Sequence, residues 1–141
     1  MKSDTGSFFQ KIGGFSILRD VTLDSGSRLE IQSNQQLDVA GALTNNGTIH
    51  LDDSSAGFFT TLMINQPVIY AGTGEFTATS SFENRITGLD ASASLTNTTD
   101  FKLNAGNLII SSLGVINQGS FLADNGSTLR LQSITMDNSS A

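Results

Sequence analysis

Short alternations of apolar and polar residues recur along the chain, and stretches rich in Asn, Gly and Ser separate them. The stretch LTNNGTIHL, which begins at Leu43, has apolar residues at its first, seventh and ninth positions and Asn-Gly in its middle. Four other stretches share this arrangement: LDSGSRLEI from Leu23, YAGTGEFTA from Tyr70, LTNTTDFKL from Leu95 and VINQGSFLA from Val115. A sixth, truncated copy starts at Met136. The starts near 23, 43, 70, 95, 115 and 136 define a repeat of 20–27 residues.

This repeat predicts an all-β fold, a single-stranded parallel β-helix (β-solenoid) of about five to six coils. Alternation with period two sends the apolar side chains of each copy to one face of a strand. One copy cannot bury that apolar row, whereas stacked copies share a continuous core. An antiparallel sandwich with Asn-Gly hairpins is the alternative. Five copies with matched apolar columns favour the solenoid.

The polar middle of each copy predicts a corner, where the chain turns between strands. Asn and Gly tolerate left-handed backbone angles, and Asn side chains on successive coils can stack and bond to one another. We expect the corners and the ladder that runs through them to be built from Asn45, Gly47, Gly72, Gly74, Asn97, Asn117, Gly119 and Asn138.

The regular coils are expected over residues 21–141, after a less regular beginning. Residues 1–20 lack the corner signature and predict an N-terminal cap or an irregular first coil. Two coils carry extra residues, at 52–61 and at 79–88, both after the ninth motif position. We therefore expect both insertions on the same side of the solenoid. Insertions on one face of a solenoid often carry binding function, and tolerated loop variation is the alternative.

Composition narrows the classes of function. Charged residues make up only 14% of the chain, against roughly 25% in an average protein. The net charge of −6 argues against a nucleic-acid partner. No apolar run approaches the roughly 20 residues of a membrane span, so we expect no direct membrane insertion. Cysteine is absent and His50 is the one histidine, which excludes thiolate and multi-histidine metal sites.

The stretches LTNNGTI, LTNTTDF and VINQGSF resemble the β-helix repeats of filamentous-haemagglutinin-like adhesins and of autotransporter passenger regions. The resemblance covers about residues 21–141 and concerns architecture, because the motif is degenerate. It implies right-handed coils, an extracellular position at the bacterial cell surface, and a structural or adhesive role without catalytic residues or cofactor. No apolar leader follows Met1-Lys2. A fragment of a larger surface protein fits these features, and so does a small solenoid that associates end to end into a filament.

The outward-facing motif positions bring together four residues that are candidates for binding a ligand. Glu75 and Asp100 share the sixth motif position, so we expect them about 4.8 Å apart on adjacent coils. His50 and Lys102 occupy the eighth position and lie diagonally near them. Paired carboxylates are the groups that glycosidases use. The four residues form a candidate glycan-binding patch, a solvated charged surface is the alternative, and we do not expect an enzyme.

The first insertion supplies a second candidate, a contact loop with Asp52, Asp53, Phe58 and Phe59. Carboxylate oxygens suit calcium, but no spaced acidic loop accompanies the two aspartates, and we expect no metal. The two Phe rings predict a contact surface if they are exposed, and ordinary packing if they tuck under the loop. The composition argues against an aromatic platform for sugars, because Trp is absent and Tyr70, the one tyrosine, is predicted to point inward.

Overall fold

The computed structural model describes residues 2, 4–54, 58–80 and 84–138, and within them all regular structure is β-strand. The strands are short, and most show the period-two burial that the alternation predicts. They are β1 (Phe8–Lys11), β2 (Ile17–Leu23), β3 (Arg28–Ile31), β4 (Gln36–Asn45), β5 (Thr48–Leu51), β6 (Thr60–Ala71), β7 (Glu75–Ala78), β8 (Asn84–Gly88), β9 (Ser94–Asn97), β10 (Asp100–Ala105), β11 (Asn107–Ser111), β12 (Gly114–Asn117), β13 (Ser120–Ala123), β14 (Thr128–Gln132) and β15 (Thr135–Asp137).

These strands form three faces, and their pairings are parallel. Face 1 is the sheet β1-β3-β5-β7-β10-β13. The second sheet divides along β6, which pairs with β8 through residues 60–64 and with β9 through residues 68–70. Face 2 holds β8, β11, β14 and the first halves of β2, β4 and β6, and face 3 holds β9, β12, β15 and the second halves. The chain visits the faces in the order 1, 2, 3 about six times, which confirms the predicted parallel β-solenoid.

Residues with left-handed backbone angles help to turn the chain between faces 2 and 3. Asp20 (φ 49°) and Gly41 (φ 75°) lie where β2 and β4 change face, and Ser112 (φ 56°) lies between β11 and β12. The Asp20 carboxylate compensates for its unusual angle by accepting the backbone N–H of Ala42 at 3.0 Å. Bends at equivalent places keep the three faces aligned from turn to turn.

The inward side chains form one continuous core with an aromatic centre. On face 1 the buried column includes Leu29, Ile31, Ile49, Leu51, Phe76, Phe101 and Leu103. The rings of Phe76 and Phe101 stack with centroids 4.5 Å apart and planes 15° apart. Tyr70 lies 5.7 Å from Phe76 and 5.3 Å from Phe101, and Phe121 lies 5.4 Å from Phe101. Rings from consecutive turns therefore pack directly on one another.

The register of the paired strands departs from the alignment of the sequence copies in two places, between the first and second copies and between the third and fourth. Leu23 lies beside Asn45, not Leu43, and Tyr70 lies beside Asn97, not Leu95. Each slip is two residues, so every apolar side chain still points inward. Between β2 and β3 the additional residues form a reverse turn, in which the N–H of Ser27 donates to the carbonyl of Asp24 at 3.0 Å.

The N-terminal segment supplies the strands of the first turn. β1 pairs with β3 and β2 pairs with β4, both in parallel. Lys11 is in register with the inward residue Ile31 and is itself only 6% exposed. Its Nζ donates to the carbonyls of Gly13 (2.6 Å) and Gly14. A hydrogen-bonded ammonium group thus occupies the second inward position of β1, after Phe9, where later turns have apolar residues.

The Tyr70 hydroxyl gives a first prediction about stability. It is buried and makes no hydrogen bond of standard geometry with any described residue. Burial raises the pKa of Tyr70 to about 12, and the nearby Asn45 side chain offsets part of that rise. A buried hydroxyl that lacks a well-formed hydrogen bond costs about 1–3 kcal/mol, so we expect Tyr70→Phe to raise the free energy of unfolding by about 1 kcal/mol. Urea unfolding measures it, and a loss of stability would reveal a stabilising bond to the hydroxyl.

Candidate functional site

The four residues of the predicted patch lie on strands of face 1, but the expected carboxylate pair is not formed. Strands β7 and β10 pair with Phe76 beside Leu103, so the register has slipped by two residues. Lys102, which precedes Leu103, therefore takes the place expected for Asp100 and lines one groove together with Glu75. The prediction was wrong here because a slip of two residues keeps the apolar side chains inward, so the alternation in the sequence does not reveal it.

The charged groups of this patch have separate partners in the next turn. Asp100 accepts a hydrogen bond from the hydroxyl of Ser120. The Lys102 ammonium lies 3.8 Å from the carboxylate of Asp124, and both side chains are substantially exposed. A glycosidase needs two carboxyl groups placed on either side of one bond. The arrangement of Glu75 beside Lys102 instead gives a mixed-charge surface.

His50 lies in the middle of β5 in a partly buried position. Its Nδ1 is 2.8 Å from the hydroxyl of Thr77 on the next turn. Burial and then the positive charge of Arg28 lower the pKa of His50, while Glu30 and Asp52 partly offset that change. Arg28 is itself ion-paired with Glu30 at 2.7 Å. His50 is therefore a neutral side chain at pH 7 that joins two turns.

The lowered pKa of His50 predicts a pH dependence of stability. The unfolded chain binds the imidazole proton more tightly than the folded one, so stability is full above pH 6.5 and falls as the pH drops towards the folded pKa. Because the chain has one histidine, its NMR titration is unambiguous and should have a midpoint below 6.5. His50→Gln should flatten the stability profile between about pH 7 and pH 5. A midpoint above 6.5 would contradict this.

Asp52 and Asp53 belong to the corner between faces 1 and 2. The hydroxyl of Thr60 donates to the backbone carbonyl of Asp52 at 3.1 Å. Asp53 is buried, accepts a hydrogen bond from the Ser33 hydroxyl at 3.3 Å, and donates its backbone N–H to the Thr79 hydroxyl at 3.0 Å. Both residues therefore hold the corner together. In the described part of the chain, no group of three or more His, Cys, Asp or Glu is arranged to hold a metal ion.

The two Phe residues of the first insertion are at the surface. Phe58 is 52% exposed and Phe59 is 48% exposed. Both line a groove to which the preceding corner contributes Asn34, Gln35 and Gln36, and the amide of Gln36 donates to the carboxylate of Asp38 at 2.7 Å. These three residues were not predicted to lie beside the Phe pair, because they belong to the previous turn. The signal that connects them is the parallel register, which places Gln36 beside Thr61.

The predicted corner residues contact their counterparts on neighbouring turns. Asn97 donates to the side-chain oxygen of Asn117 at 2.9 Å, and Asn117 donates to Asn138 at 3.3 Å. Asn45 instead donates to the backbone carbonyl of Glu75 at 3.1 Å, and its oxygen accepts the N–H of Gly47. At each of the four predicted corner glycines, Gly47, Gly72, Gly74 and Gly119, a Cβ would overlap a backbone oxygen of the preceding turn.

No family model, curated protein or solved structure matches this chain. The resemblance to adhesin repeats therefore remains a prediction from the motif. Among the described residues, no helix is long and apolar enough to cross a membrane.

Proposed function

We propose that this chain is a structural β-solenoid segment of an extracellular bacterial surface structure, in which it serves as a stiff spacer with adhesive surfaces. The observation that carries the proposal is the continuity of the core. Buried side chains follow one another from Val21 to Val115, and aromatic rings bridge consecutive turns. Each turn is stabilised by its neighbours, so resistance to bending comes from the whole stack.

The outward side chains support the same proposal. Ser, Thr and Asn make up about a third of the chain, and these short polar groups need no partner of opposite charge in water. The resemblance of LTNNGTI and VINQGSF to adhesin repeats supports the bacterial surface position. A spacer works through shape and length, and it needs no titrating or metal-bound centre.

Surface position can be tested with antibodies raised against the folded chain. Intact cells of the source organism should be labelled before permeabilisation, and an antibody to a cytosolic protein should label them only afterwards. If both antibodies require permeabilisation, the chain is not displayed at the surface and the proposal fails.

A second candidate function is end-to-end assembly of copies into a filament, and the unpaired edges of the last described strands favour it. Within the described residues, β13, β14 and β15 each pair on one side only. The inward residues Phe121 and Met136 are only partly buried there. Unpaired strand edges and uncovered apolar residues are surfaces on which another strand can add.

The two ends differ, and the difference makes the second candidate testable. The buried Lys11 ammonium at the N-terminal end opposes the docking of an apolar end, because it would lose its remaining contact with water. Negative-stain electron microscopy at increasing concentration should therefore show discrete particles for the chain, and Lys11→Leu should promote end-to-end pairs. Discrete particles of the unaltered chain would count against assembly as its function, and regular filaments would support it.

A further inference from the structure

A groove of about 410 Å³ lies where the chain turns from face 1 to face 2, and its lining is unusual for this surface. Its walls are Asn34, Gln35, Gln36, Phe58, Phe59 and Thr61. The volume is within the range of about 300–1,000 Å³ that is typical of small-ligand sites. Two adjacent phenylalanines, each about half exposed, line it together with three residues that have neutral amide side chains.

The floor of the groove is fixed by backbone hydrogen bonds. Asn34 has a left-handed backbone (φ 61°), and the N–H of Gln35 donates to the carbonyl of Gln32 at 3.0 Å. The N–H of Thr61 in turn donates to the carbonyl of Gln35 at 2.9 Å. The backbone that carries the amide side chains is therefore ordered before a ligand binds, which lowers the entropy cost of binding.

One aromatic ring is also held in place. The guanidinium carbon of Arg85 lies 3.5 Å from the centroid of the Phe59 ring, a cation–π contact. Arg85 is in register with Thr61 on the neighbouring strand, so the contact belongs to the stacked structure. Phe59 thus has one face on Arg85, and the more exposed Phe58 lies beside it at the groove.

We propose that this groove binds a neutral oligosaccharide, with Phe58 packed against the apolar face of a sugar ring. The amides of Asn34 and Gln35 can both donate and accept hydrogen bonds, which matches the hydroxyl groups of a sugar. None of the described side chains that line the groove carries a carboxylate or an ammonium group. The charge of −6 on the chain further disfavours acidic glycans.

Other occupants fit this groove less well. A peptide cannot add as a strand, because β4 is paired with both β2 and β6, and β6 is paired with β4 on one side and with β8 and β9 on the other. A second copy would need a larger surface, since stable interfaces use about 20–30 residues a side. Binding in solution does not depend on where the chain is displayed, so this proposal and the proposed surface role can fail separately.

Binding is tested with a panel of neutral hexasaccharides (cellohexaose, maltohexaose, xylohexaose, mannohexaose and chitohexaose) by NMR chemical-shift titration. At least one should bind at millimolar or lower concentration and shift the amide side-chain signals of Asn34 and Gln35. Phe58→Ala should weaken that binding about tenfold, because it removes the stacking ring. Phe8→Ala is the matched control, since Phe8 is 58% exposed on face 1 and should leave affinity unchanged.

Three outcomes would overturn the proposal. The first is no binding of any neutral hexasaccharide, and the second is binding that Phe58→Ala and Phe8→Ala leave equally intact. The third is self-association or capture of an unstructured peptide that depends on Phe58 while no sugar binds. The urea midpoint of Phe58→Ala should equal that of Phe8→Ala, which separates loss of the ligand contact from loss of the fold.

Discussion

Replacing Gly72 by alanine should unfold the chain under conditions in which the unaltered protein is folded. Gly72 has a φ of +109°, and an added Cβ would overlap the carbonyl oxygen of Asn45 and lie 2.6 Å from its carbonyl carbon. The Asn45 backbone cannot move away, because its carbonyl also accepts the N–H of Gly74 at 2.7 Å. We expect a loss of at least about 3 kcal/mol, a large part of the 5–15 kcal/mol that stabilises a typical domain.

The matched control is Gly13→Ala. No atom lies within 4 Å of the position that its Cβ would take. An exposed substitution of this kind usually changes stability by no more than about 0.5 kcal/mol. Urea unfolding monitored by circular dichroism compares the two variants. If Gly72→Ala were as stable as Gly13→Ala, the close approach of consecutive turns at this corner would be wrong.

The second large effect is expected at the centre of the aromatic core. Phe101 is 1% exposed and contacts the rings of Tyr70, Phe76 and Phe121. Phe101→Ala leaves a cavity that rings held in consecutive turns cannot fill, so we expect a loss of about 3–5 kcal/mol. Phe8→Ala, at an exposed position of the same face, should cost less than about 0.5 kcal/mol.

Phe101→Leu separates volume from ring stacking. It keeps most of the buried apolar surface and removes the stack on Phe76, so its loss should fall between that of Phe101→Ala and zero. A loss below about 1 kcal/mol for Phe101→Ala would show that the core is loosely packed at its centre. The same result would weaken the proposal of a stiff spacer, which depends on tight contact between turns.

The fold class was predictable because the same burial pattern recurs in copy after copy. Leu43, Ile49 and Leu51 stand at the first, seventh and ninth motif positions, and all three are buried as expected. Alternation with period two and a period near 20 residues together leave few architectures besides a parallel stack.

The same pattern could not predict the register of the strands. A shift of two residues leaves every apolar side chain inward, so the sequence alternation cannot distinguish one register from the other. Corner geometry decides between them, and this depends on local backbone angles and on the lengths of neighbouring strands. This is why Lys102 lines a groove with Glu75, where Asp100 was expected.

The candidate contact loop was predictable only in part. Phe58 and Phe59 stood out as apolar residues in an insertion, and their exposure agrees with a contact surface. Nothing in the sequence distinguishes Asn34, Gln35 and Gln36 as candidate binding residues, since polar residues are common in this chain. They line one groove with the Phe pair only because the turn that holds them stacks against the turn with that pair.

Distances along the stack test the central claim, that about six turns form one rigid solenoid. The outward row of face 2 runs through Ile17, Asp38, Met63, Thr87, Ser111 and Gln132, one residue for each turn. The chain has no cysteine, so spin labels can be attached at chosen pairs without background. Three double variants are needed. Each combines Ile17→Cys with one second substitution, which is Thr87→Cys, Ser111→Cys or Gln132→Cys.

Pulsed electron paramagnetic resonance measures the separation of each pair. With about 4.8 Å for each turn, the backbone separations should be about 14, 19 and 24 Å, with narrow distributions once the length of the label is allowed for. Equal steps from pair to pair would establish the stacked parallel turns and their rigidity. Separations that fail to increase along the row, or distributions that broaden with each added turn, would contradict the solenoid and the spacer role that follows from it.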